Sequence, residues 1–119
     1  MSTNKMTNLE RLKLEISQSG YTDEELSIFL EESLLSPSDE YIPASNENKK
    51  AIYQTALSIL EAIANNPQLL ANKKFDDTSV SDFAESIQNR IDQLERKLRM
   101  LKSSDNESTQ SNSFMLFQS

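Results

Sequence analysis

The carboxylates are the first candidates for chemistry. Asp23, Glu24 and Glu25 in "DEEL", Glu31 and Glu32 in "EES", and Asp39 and Glu40 in "SDEY" bring together oxygen ligands and acid groups of the kind that hold cations or exchange protons. Their placement argues against both roles. Most fall at a helix start or on an outward helix face, where they cap and hydrate. The stretch "DNES" lacks the alternating oxygen ligands and the Gly of a calcium loop. Paired-carboxylate catalysis needs two carboxyls in one cleft with separated pKa values, and the pattern indicates no cleft. The chain has no His and no Cys, which excludes imidazole bases, Ser-His or Cys-His nucleophiles and the usual zinc sites. Its one Gly cannot build a phosphate-cradling loop. We therefore expect no catalytic residue, no metal and no cofactor: the chain reads as something other than an enzyme.

Charge is unevenly spread. The net charge is −7. Residues 1–48 carry three bases against ten acids, and residues 49–102 carry nine bases against seven acids. This predicts an acidic face and a weakly basic one, an arrangement suited to subunits packing side by side. It is a poor composition for gripping nucleic acid, which requires neutralised phosphates. The basic run Arg96, Lys97, Arg99 and Lys102 is more simply assigned to pairing with acids of the second helix, in the same or a neighbouring subunit.

Helices must position these groups. One Gly, three Pro and an abundance of helix-forming residues predict an all-α fold in 119 residues. Thr7 with Glu10 and Thr22 with Glu25 are capping boxes that open the first two helices. Leu9, Leu12 and Ile16 recur at helical spacing in the first, which Gly20 stops. Leu26, Phe29, Leu30 and Leu34 form the apolar face of the second, with Glu24, Glu25, Glu31 and Glu32 outward. Tyr41 and Ile42 are expected to pin the loop between Pro37 and Pro43 to the core. The third helix, about 47–65, is apolar over more than half its circumference through Ile52, Tyr53, Ala56, Leu57, Ile59, Leu60, Ile63 and Ala64, which places it at the centre. Pro67 opens one or two further turns, and Phe75 is expected to pack inward.

The last helix starts from a Ser79 or Ser81 cap. Val80, Ala84, Ile87, Ile91, Leu94, Leu98 and Leu101 fall at alternating steps of four and three, a heptad seam held for three heptads. We expect Phe83, Ala84, Ile87 and Ile91 in the core. Leu94, Leu98 and Leu101 should lie nearer a subunit interface, with Arg96, Arg99, Glu31 and Glu32 as its charged candidates. From Ser103 the composition turns to Ser, Asn, Asp, Thr and Gln, that of a flexible linker. The expected architecture is an all-α bundle of about four helices, residues 1–102, with a long C-terminal helix and an extended C-terminal tail, residues 103–119. That tail carries Phe114, Met115, Leu116 and Phe117. Burying such side chains is worth roughly 1.5–3 kcal/mol each, so an apolar cluster on a polar tether has the form of an anchor for a partner's groove or sheet edge.

The stretches "MTNLERLKLEISQSGYTDEELSIFLEES", "AIYQTALSILEAIANNPQLL" and "FAESIQNRIDQLERKLRML" resemble the small head–tail connector (adaptor) proteins of long-tailed bacteriophages, especially phages and prophages of Gram-positive bacteria. The resemblance covers roughly residues 6–102. It rests on the order and length of helices and on "TDEEL…FLEE" and "SILEA", not on a catalytic signature. It implies a helical subunit of a dodecameric ring beneath the portal protein, extending the DNA channel and offering a platform to the next neck or tail-completion component. It also implies a C-terminal segment that reaches the portal: here residues 103–113 would be the reach and Phe114 to Phe117 the anchor. Double-stranded DNA would pass without specific binding, which an acidic lining favours. The protein would be made in the host cytoplasm and reside in the virion at the head–tail junction.

A different class fits the same residues, a small cytoplasmic coiled-coil interaction or regulatory protein that self-associates through residues 80–102. No apolar run approaches the ~18 residues of a membrane span, and the first ten residues have no apolar core of a signal peptide.

Overall fold

A computed structural model describes residues 5–16, 20–73 and 78–118, with side chains to Leu101 in the last helix. Five helices follow one another among these residues: α1 (Asn8–Glu15), α2 (Asp23–Glu32), α3 (Asn46–Ala64), α4 (Pro67–Lys73) and α5 (Val80–Gln118). The fold is all-α, as the composition predicts. Both capping boxes form: the Thr7 and Thr22 hydroxyls accept from the N–H groups of Glu10 and Glu25, whose carboxylates accept from the N–H groups of Thr7 and Thr22. Ser45 caps α3 by accepting from the N–H of Asn48, Asn66 caps α4, and Ser79 caps α5.

Helix α3 packs against each of the other four helices. Its Ile52, Ala56, Ile59, Leu60 and Ile63 are buried with Leu12, Ile16, Leu26, Leu30, Tyr41, Leu70, Phe83, Ile87, Ile91 and Leu94. The central position follows from its wide apolar surface, since a helix apolar over most of its circumference must be covered on most sides. The buried hydroxyl of Thr55 donates to the carbonyl of Ala51 at 2.7 Å, which satisfies it within the helix.

The α1 end is fastened by a polar relay. Asn8, 2% exposed, donates through Nδ2 to the carbonyl of Ser36 and accepts from Nδ2 of Asn48, both at 2.9 Å. Asn48 Oδ1 accepts from the N–H of Ile42 at 2.7 Å, and Tyr41 N–H donates to the carbonyl of Met6. Two asparagines thus tie α1, the loop after α2 and the first turn of α3. Gly20 has φ +80, which favours glycine, and its carbonyl accepts from Lys73 Nζ at 3.0 Å.

Several expectations are corrected. Leu34 belongs to no apolar face: α2 ends at Glu32, and Leu34 is 92% exposed. Ile42 is exposed, because only the alternate residue Tyr41 turns inward. Val80 is exposed at the first turn of α5, where Phe83 fills the core instead. The backbone of α5 is helical to Gln118, past residue 102, where composition predicts a linker. Helix propagation from a formed segment adds one hydrogen bond per residue, and no Gly or Pro interrupts residues 102–118. Phe75 lies outside the described residues.

Candidate functional site

Charge is concentrated where α1, α3 and α5 meet. The Glu15 side chain is 6% exposed and takes three cations: Arg11 Nη1 at 2.9 Å, Arg90 Nη2 at 2.9 Å and Lys97 Nζ at 3.2 Å. Arg90 also donates to the Glu15 carbonyl at 2.8 Å, placing a cation at the negative end of α1. Arg11 lies 5.4 Å from the ring centre of Tyr41 and 5.9 Å from that of Tyr53, and Lys97 is 5.1 Å from Tyr53. Burial works to raise the pKa of Glu15, but its hydrogen bonds from Arg90, Arg11 and Lys97 outweigh this and lower it. Burial likewise opposes the charged form of Arg11, and attraction to Glu15 prevails to raise its pKa. Three cations around one carboxylate leave this face basic.

Within one chain, the expected pairing of the basic run with acids of the second helix does not form among the described residues. Lys97 pairs with Glu15 of α1, and among the described residues α2 makes no backbone-level contact with α5. Of the α2 acids, Asp23 pairs with Lys13 at 3.0 Å, whereas Glu31 and Glu32 are exposed and form no ion pair among the described residues. Nothing in the local sequence singles out Glu15 as the focus. Its partners Arg90 and Lys97 are 75 and 82 residues away, and no local spacing signals such a meeting.

The interface candidates divide. Leu94 is fully buried in the chain's own core, so it offers no surface to a partner, contrary to expectation. Helix α3 runs beside α5 in the opposite direction, with Tyr53 beneath Lys97 and with Lys50 and Gln54 against Leu98 and Arg99. At 19 residues, about 28 Å, it covers α5 well past Leu94. Leu98 and Leu101 are half-buried, and Arg96 and Arg99 are exposed. Lys50, Gln54, Leu98 and Arg99 line an open groove of about 250 Å³. A second groove, about 560 Å³, lies between Met6, Leu14, Tyr41 and Pro43, rimmed by Lys5, Arg11 and Glu40.

Phe114, Met115, Leu116 and Phe117 fall within the backbone span of α5, and their side chains lie outside the described residues. Among the described residues no group of three potential metal ligands occurs, and no helix is long and apolar enough to cross a membrane. Comparison of the chain with protein-family models, with curated proteins and with solved structures finds no match.

Proposed function

We propose that this chain is a structural subunit of a phage virion, a head–tail adaptor that packs side by side with copies of itself in a ring on the portal protein and joins it to the next neck component. The observation that carries the reading is the geometry of α5. The helix is 39 residues long, about 58 Å, while α3, its main packing partner, is about 28 Å. An arm longer than the helix that covers it suits a joining role, and the sequence loads its far end with Phe114 to Phe117. Glu31 and Glu32 of α2, exposed and without an ion pair among the described residues, and the basic face of α5 support lateral packing. In this reading the portal takes the apolar cluster, and double-stranded DNA passes an acidic ring without being held.

The experiment is co-purification with the portal of the same phage. Deleting residues 114–119 should abolish it while the circular dichroism of the folded bundle stays unchanged apart from the last helical turn. Retained co-purification contradicts the anchoring role. The alternative, a coiled-coil regulator self-associating through residues 80–102, has the uninterrupted α5 and its half-buried Leu98 and Leu101 in its favour. The complete burial of Leu94 within one subunit works against it, because a seam needs that position for the partner.

A further inference from the structure

The corner after α2 breaks three local rules at once. Leu34 N–H donates to the carbonyl of Glu31 and Leu35 N–H to that of Leu30, both at 3.0 Å, the two bonds of a Schellman motif. That motif places Leu34 at φ 66, the left-handed region usually filled by Gly or Asn. Its side chain is 92% exposed, so strain is accepted with no burial in return. The preceding turn holds Glu31 and Glu32, where the negative end of the helix dipole disfavours carboxylates, and no base is present there. Local choices that oppose the fold, made together at one exposed place, mark a surface selected for something other than stability.

The groove on α3 and α5 is its chemical complement. Leu98 forms an apolar floor, Lys50 and Arg99 supply two positive charges, and neither cation forms an ion pair among the described residues. Resting on the side-by-side reading above, we propose that the Leu34 corner of one copy docks in the Lys50–Gln54–Leu98–Arg99 groove of a second copy. Leu34 meets Leu98 while Glu31 and Glu32 meet Lys50 and Arg99. Leu34 is not among the residues that line the groove, and α2 makes no backbone-level contact with α5 within one chain, so each copy offers one knob and one groove, and in the side-by-side reading the contact repeats head-to-tail. The repeated contact builds a ring or a filament instead of a closed dimer.

The chain has no Cys, so introduced thiols report this contact alone. An equimolar mixture of Leu34→Cys and Gln54→Cys variants under mild oxidation should give chiefly the mixed disulfide dimer. One chain carrying both should give a ladder of multimers. Replacing Glu31 and Glu32 by Lys, or Lys50 and Arg99 by Glu, should weaken self-association by about a hundredfold. Combining all four substitutions should restore it. Leu34→Gly should raise the melting temperature and weaken association together. If the wild-type chain self-associates but the thiols of the Leu34→Cys and Gln54→Cys variants do not pair, this contact is wrong and side-by-side packing stands. If it neither self-associates nor cross-links at any concentration, with or without portal, both fall.

Discussion

Glu15 concentrates the electrostatics of the fold in one side chain. Its carboxylate is almost out of water and is held by Arg11, Arg90 and Lys97, so removing it strands three cations at the meeting of α1 and α5. Glu15→Ala should destabilise the fold by about 2–4 kcal/mol, because breaking a buried pair leaves uncompensated charge. Chemical denaturation at neutral pH measures this directly. The sign of the pH dependence follows from the lowered pKa of Glu15. The unfolded chain binds that proton at a higher pH than the folded chain. The contribution is therefore whole above the ordinary glutamate pKa and is lost as pH falls through the folded value. Wild type should lose stability over this acid range more steeply than Glu15→Ala, and parallel curves would contradict the assignment.

At the scale of elements, local chemistry is legible in the sequence and distant chemistry is not. Thr7 with Glu10 and Thr22 with Glu25 can be read because a capping box spans three residues. The apolar width of α3 places it at the centre. The Asn8–Asn48 relay cannot be read, since it joins residues 40 apart and an Asn within a helix carries no distinguishing pattern. Leu34 misleads because its spacing from Leu30 is helical, while the chain has already left α2 through a left-handed residue. Leu94 suggests an interface because the reach of α3 beside it depends on their antiparallel register, which periodicity does not report. The relay makes its own prediction. Asn8→Ala leaves the Ser36 carbonyl and the Asn48 amide without their partner and should cost about 1–3 kcal/mol. The Asn8→Ala/Asn48→Ala double variant should cost less than the sum of the single changes. Strict additivity in denaturation would show that the relay does not act as a unit.

The whole molecule is a compact bundle with chemistry suited to being joined. Exposed Glu31 and Glu32, without an ion pair among the described residues, lie beside a strained, exposed Leu34, a basic groove lies on α3 and α5, and α5 extends further than the helix that covers it. Fold class and helix order are accessible from composition and periodicity. The complementarity of the two faces is not, because it depends on which helices share a surface in three dimensions. For the proposed adaptor role, the most direct test is electron microscopy of the full chain mixed with isolated portal rings encoded beside it. The adaptor role predicts a further ring of density seated on the portal, built of copies in head-to-tail contact. Bare portal rings beside a discrete soluble dimer of this chain would contradict it.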